Sequence, residues 1–334
     1  MASSIFRYRE HHVGKSATMD FDASHVATAP GSCATSFNPS CAQKMYGIPT
    51  RRATQRSNRL GIVGLASQWI NDTILISRIT SVNELSSYLD QRRREQPERA
   101  RRRSCKLPCN VRPLVLFIHS IPANVQQDLD SQYTIGLASG VPVEFLTVGE
   151  AAGNPFDEPF TKLTDRLLNT THLPSVLSIS YTLPEVFTDF ATANHICNGF
   201  AQLGAPGISI FVGSGDWGIT GQEDPNQCRT FNAMAPSSCP YKPMSSRTRR
   251  LSQPHTTGCT TGPGAQDMQI NGTSAATPVL ASIAALLNDE LVAAGKSPIG
   301  FMNPLIYANK EAFNDITSGS NPGCNTNGFS AIQG

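Results

Sequence analysis

The chain has 334 residues, of which 39% are hydrophobic and 16% charged, with a formal net charge of +2. That length suits one large α/β domain or two small ones, and the near-zero charge excludes binding to nucleic acid driven by overall charge. Nine cysteines with no CxxC pair and no zinc-type Cys/His spacing point to disulfides in an oxidising compartment, with at least one thiol left over.

Residues 1–32 read as a disordered N-terminal remnant. Met1–Ser16 carries Arg7, Arg9, Glu10 and Lys15 without an apolar stretch, so it does not read as a signal peptide. No apolar run along the chain reads as long enough to span a membrane. From Leu60 the pattern alternates. The runs 60–66, 114–118, 142–148, 176–181 and 208–213 are short, apolar and rich in Val and Ile, as buried parallel strands are. Between them, 82–89, 126–139, 160–169 and 186–203 are predicted helices. This alternation predicts a doubly wound parallel sheet with helices on both faces. Residues 92–103 hold seven arginines in twelve positions and read as a solvated insert rather than a nucleic-acid patch, since no aromatic residues interleave them. Cys239–Gln269 is rich in Ser, Thr, Pro and Gly and predicts no regular element. Val279–Ala294 reads as a helix ended by Gly295. Sequons stand at Asn71, Asn169 and Asn271.

Asn271-Gly272-Thr273-Ser274-Ala275-Ala276-Thr277-Pro278 precedes that last helix. Taken alone, Ser274 is an ordinary helix cap. As a nucleophile it would sit where unpaired N–H groups and the positive helix end favour developing negative charge. Three further segments bear on it. Gln126-Gln127-Asp128-Leu129-Asp130-Ser131 lies on a predicted helix. Ser214-Gly215-Asp216-Trp217-Gly218 follows a strand. Phe313-Asn314-Asp315-Ile316 precedes Gly328-Phe329-Ser330-Ala331. Singly, Asp130 is a solvated helix carboxylate, Asp216 a turn former and Asp315 a turn residue. His119 and His195 read as structural.

Together, in this order and spacing, the four segments resemble the sedolisins, the serine-carboxyl peptidases that include tripeptidyl peptidases. Cys41–Pro49 and Asn58–Gly64 resemble the start of that family's catalytic domain, so the resemblance covers residues 33–334. A subtilisin would need an Asp-Thr-Gly strand end and a His-Gly-Thr helix, and neither is present. The resemblance implies a subtilisin-like α/β fold and peptide hydrolysis at acid pH through an acyl-enzyme on Ser274. It assigns the helix acid to Asp130, the oxyanion acid to Asp216 and the general base to position 126. Two carboxylates four apart share one helical face, and a carboxylate base stays ionised at a pH where His would be protonated. Ser178, Ser180 and Tyr181 are implied to pair with the substrate backbone. Ca²⁺ is implied at Asp315, Ile316, Ile332 and Gly334. The implied partner is a peptide or protein, with no nucleic acid and no membrane, and the implied state is an extracellular monomer. The positions of the cysteines relative to these segments make Cys228–Cys324 a plausible pair, with Cys33–Cys41 and Cys228–Cys239 also conceivable.

The chain departs from the family pattern at several points. Position 126 is Gln, and a side-chain amide cannot take up a proton as a base. A long segment expected after Cys239 is largely missing. Thr182 stands where the family has Gly, and the last calcium carboxylate would fall beyond Gly334, which leaves the site incomplete. These departures predict a weak enzyme, with a catalytically impaired, peptide-binding relative as the alternative.

Overall fold

Four of the apolar runs become neighbouring strands of one parallel sheet. The computed structural model describes residues 33, 37–65, 125–148, 158–221, 228–239, 244–246, 256–259, 267–270, 272–313 and 317–333. The expectations for residues 1–32, 82–89, 92–103 and 114–118, for His119 and for Asn314–Ile316 lie outside them.

Strands β1 (Leu60–Gly64), β2 (Val143–Thr147), β3 (Val176–Ile179) and β5 (Ser209–Gly213) join β7 (Met244–Ser246) in the order β2-β1-β3-β5-β7. Register is fixed by pairs such as Leu60 with Val143, Val176 with Ser209 and Phe211 with Met244. A two-residue pairing of β4 (Leu183–Pro184) with β6 (Met234–Ala235) and a hairpin of β8 (Thr256–Cys259) with β9 (Asp267–Ile270) lie outside this sheet. The hairpin falls inside the stretch for which no regular element is predicted.

The period of two in each central strand sorts its side chains to two faces. Leu60, Ile62, Val143, Phe145, Val176 and Phe211 enter one core, while Val63, Leu146, Leu177, Ile179, Ile210 and Val212 enter the other. The first face is covered by α1 (Pro39–Tyr46), α2 (Val125–Leu137) and α5 (Thr273–Ala293), the second by α3 (Glu158–Leu168) and α4 (Phe190–Gly204). A short α6 (Asn303–Ala308) follows.

Two helices start elsewhere than the pattern predicts. α4 begins at Phe190 because Asp189 caps it, its carboxylate accepting the Thr192 N–H at 3.0 Å. That bond and the Thr192 hydroxyl hold the Asp189 carboxyl below its ordinary value of 3.8. α5 begins at Thr273, not Val279, and runs through Pro278. At its full length of 21 residues and mean hydropathy of 1.3, α5 is long and apolar enough to cross a membrane. This corrects the reading that no run suffices. Two thirds of its most apolar window is buried in the protein, as in a core helix.

Helices α3 and α4 meet at Gly199, where an added Cβ would lie 2.7 Å from the Thr164 Cβ. Thr164 is fully buried, and its hydroxyl donates to the Phe160 carbonyl at 3.1 Å, so it has little room to yield. Gly199→Ala would gain about 1 kcal/mol of helix propensity but lose about 1–3 kcal/mol to overpacking. The expected outcome is a lower Tm by calorimetry, partly recovered when Thr164→Ala is added. A higher Tm for the single variant would contradict this packing.

Among the described residues, three disulfides join Cys33 to Cys41, Cys197 to Cys239 and Cys228 to Cys324. Cys239 therefore pairs with Cys197 in α4 and not with Cys228. That contact is made across the fold and has no local signal in sequence.

Candidate active site

Ser274 is the second residue of α5, at the end nearest the sheet's β5. Helix α5 crosses behind β3 and β5, so its first turn emerges beside the loop that follows β5. That loop carries Asp216. One Asp216 oxygen, Oδ1, accepts both the Thr273 N–H at 2.6 Å and the Thr273 hydroxyl at 2.9 Å. The carboxylate thus caps α5, where the unpaired amides and the helix dipole favour negative charge. The cap requires Gly272. Its φ of +135° is closed to ordinary L-residues, and a Cβ there would lie 2.9 Å from the Asp216 Cγ.

Helix α2 supplies Asp130, which is completely buried. Its Oδ1 accepts the Ser180 hydroxyl at 2.9 Å, and the same hydroxyl lies 3.2 Å from the Ser274 backbone carbonyl. Pro278 explains why that carbonyl is open to Ser180. A helix would normally pair it with the N–H four residues on, and proline has none. Ser180 therefore links the α2 acid to the backbone at Ser274, a contact that the sequence does not announce. Gln126 and Asp128 lie on the first turn of α2.

Ser178 requires a correction. It lies in β3, which pairs with β1 on one side and β5 on the other, and it is fully buried. Neither edge of that strand is open to a peptide, so Ser178 is a core residue rather than a substrate contact. Ser180 and Tyr181 lie just past the strand end. Together with Thr182, Asp216, Trp217, Thr273 and Ser274 they line a cavity of about 130 Å³. Met234, from β6, also lines it and carries no sequence signal.

Three of the four calcium positions, Asp315, Ile316 and Gly334, lie outside the described residues. The remaining one, Ile332, is 80% exposed. Among the described residues no group of three or more His, Cys, Asp or Glu could hold a metal ion. His195 lies on the surface, 2.9 Å from the Asp165 carboxylate, and does not line the cavity.

A parallel sheet wrapped by helices, with a serine on the first turn of a core helix facing an acid past a neighbouring strand, defines the subtilisin-like α/β class. Pseudomonas sedolisin, a serine-carboxyl proteinase, superposes with a TM-score of 0.57 over 90% of this chain and 93% of its own, at 17% identity. No family model matches the chain. Among curated proteins, tripeptidyl-peptidase sed4 of Aspergillus fumigatus is 26% identical over 90% of this chain and 60% of its own length. Tripeptidyl-peptidase sed1 of the same fungus is 29% identical over 48% of this chain and 38% of its own. Aorsin of Aspergillus oryzae is 56% identical over a shorter stretch, 19% of this chain and 10% of its own. The chain is similar to these tripeptidyl-peptidases and shares its fold with sedolisin, at low identity. It spans less than two thirds of the length of these relatives.

Proposed function

We propose that the chain is a serine-type peptidase of the serine-carboxyl kind, hydrolysing peptide bonds at acid pH through an acyl-enzyme on Ser274. The observation that carries this reading is the shared cavity of Ser274 and Asp216, with the buried Asp130 tied through Ser180 to the Ser274 carbonyl. In the first step the Ser274 oxygen attacks the scissile carbonyl and its proton leaves to solvent water, since position 126 supplies no base. The oxyanion that forms is met by Asp216. Because Oδ1 is already accepting two bonds, the proton it donates sits on Oδ2, on the side kept open by Gly272. Collapse expels the amine, and water releases the acyl group.

The weak point is the base. Gln126 stands one helical turn before Asp130, and an amide there cannot hold the Ser274 proton. The chain is therefore a slow enzyme. The second reading, favoured by the same Gln126, is a relative that binds peptides at this cavity without turning them over. Hydrolysis of a quenched fluorescent peptide at pH 4 separates the two. The first reading expects slow cleavage that disappears in Ser274→Ala, and equal rates for parent and variant would remove it. Products of three residues from the peptide N-terminus would mark a tripeptidyl-peptidase, and internal fragments an endopeptidase.

We infer an extracellular, monomeric protein, and the three disulfides, which an oxidising compartment sustains, support the first of these. Calcium, implied only through Asp315, Ile316, Ile332 and Gly334, takes no step in this scheme. Millimolar calcium chloride should leave the Tm within about 1 °C of its value in a chelator, since a ligand present below its Kd adds little stability. A rise of several degrees would show that a complete site exists.

A further inference from the structure

Cutting an amide asks for one proton more than cutting an activated ester does. An amine leaves the tetrahedral intermediate only once its nitrogen is protonated, whereas a phenol or thiol departs with the electron pair as a stable anion. The cavity at Ser274 is poorly equipped for the first task. Ser274 itself is half-buried and lines the opening, so an acyl carbon can reach it. Among the described lining residues, Asp216 carries the one carboxylate, and no imidazole or amine stands beside it. Its Oδ1 is occupied by the two Thr273 bonds, and its Oδ2 faces the oxyanion in the mechanism given for peptides. Asp130 is completely buried, and its Oδ1 accepts the Ser180 hydroxyl, whose one proton is shared with the Ser274 carbonyl. The other side-chain protons of the lining belong to hydroxyls such as those of Tyr181 and Thr182, which are weak acids. Position 126, one helical turn before Asp130, holds an amide that neither takes up nor returns a proton. The parts that survive are a nucleophile at a helix N-terminus and an oxyanion site. These suffice to form an acyl-enzyme from a donor whose leaving group departs unaided.

We propose that this site acts on activated acyl esters, those of phenols or thiols, in preference to amides, and that the acyl group then stays on Ser274 as a long-lived ester. This rests on Ser274 being the nucleophile of the proposed function and names the substrate class of the same site. In acylation the Ser274 oxygen bonds to the acyl carbon, the carbonyl pair moves onto the oxyanion, and the hydroxyl proton passes to water. Collapse re-forms the carbonyl and breaks the bond to the phenol oxygen or thiol sulfur, which departs with that electron pair. In deacylation water adds to the same carbon, and Ser274 must now leave as an alcohol, which needs a proton that no shuttle delivers. The test compares the p-nitrophenyl ester and the p-nitroanilide of acetyl-Ala-Ala-Ala at pH 4. It uses the parent, Ser274→Ala and Gln126→Glu, each shown to be folded by circular dichroism and Tm. With the ester, the parent should release a burst of about one p-nitrophenol per chain and then slow, as an accumulating acyl-enzyme does. Mass spectrometry should find one acyl group, on the fragment that carries Ser274. Gln126→Glu should lower the ester-to-anilide ratio of kcat/KM by at least about tenfold, since a restored proton shuttle adds about 10²–10⁴-fold to the anilide rate and less to the ester. Ser274-dependent anilide cleavage with no ester burst, with no acyl adduct, or with an unchanged ratio in Gln126→Glu overturns the ester preference and leaves the peptidase standing. Equal turnover of both substrates by the folded parent and Ser274→Ala overturns both.

Discussion

Replacing Gln126 by Glu should raise the rate of peptide hydrolysis at acid pH by about 10²–10⁴-fold, the range over which a positioned general base acts. The substitution returns a proton acceptor to the helix turn before Asp130, whose carboxylate is buried and already oriented by Ser180. Two carboxylates four residues apart on α2 would then share a face, and the buried one would polarise the other. The pH profile carries the sign of the effect. A Glu base works when ionised, so the gain over the Gln parent should grow as pH rises through roughly 4. The check is kcat and kcat/KM against pH for parent and Gln126→Glu on one quenched peptide. No gain in a folded variant would place the fault beyond the base, for example at Thr182, which lines the same cavity.

Gly272→Ala should disable the site and weaken the fold together. The φ of +135° alone costs a non-glycine residue about 1–3 kcal/mol. In addition, the new methyl would occupy the space of the Asp216 carboxylate, which would have to release both Thr273 bonds. The N-terminal turn of α5 then loses its cap, and the oxyanion loses its donor. Urea unfolding should show a lower midpoint, and peptide hydrolysis by a Gln126→Glu parent should drop by about 10²-fold or more, as for other lost oxyanion donors. Adding Asp216→Gly separates the two causes, since it relieves the collision but not the backbone strain. A single variant as stable as its parent would mean that the carboxylate does not sit where the hydrogen bonds put it.

The sheet was largely readable because its strands are short, apolar and evenly spaced by helices. The runs at 60–66, 142–148, 176–181 and 208–213 each contain the strand found there. Alternation does not, however, reveal which strand is central. Ser178 reads equally well as an edge residue open to a peptide, and only its pairing with both Ile62 and Phe211 removes it from the surface. The start of α5 was hidden for a related reason. Pro278 looks like a helix beginning, but a proline is tolerated inside a helix when the carbonyl four residues back finds another donor. Here the hydroxyl of Ser180, 94 residues away, lies 3.2 Å from it and shares its one proton between that carbonyl and Asp130. Asp130 illustrates the opposite case. Its burial follows from the helix itself, since α2 hides Ser131 and Thr134 as well as Leu129, Tyr133 and Leu137. Polar residues on a helix buried nearly all round mark a place where polar partners must be supplied. Trp217 carried a weaker signal. A tryptophan between an acid and a glycine in a loop after a strand is unusual for a turn, but nothing local says which way it faces.

The link between Cys228 and Cys324 has a topological consequence. Ser274 and the whole of α5 lie between those two cysteines, so the proposed nucleophile is carried on a covalently closed ring of backbone. A single proteolytic nick anywhere in that ring leaves both pieces attached, and the damaged protein runs at full mass until reductant parts it. Closing a loop of 96 residues also removes about 4–5 kcal/mol of freedom from the unfolded chain in the chain-entropy treatment. Thiol-rich surroundings would strip away that constraint and leave the ring open around the residue on which the chemistry depends.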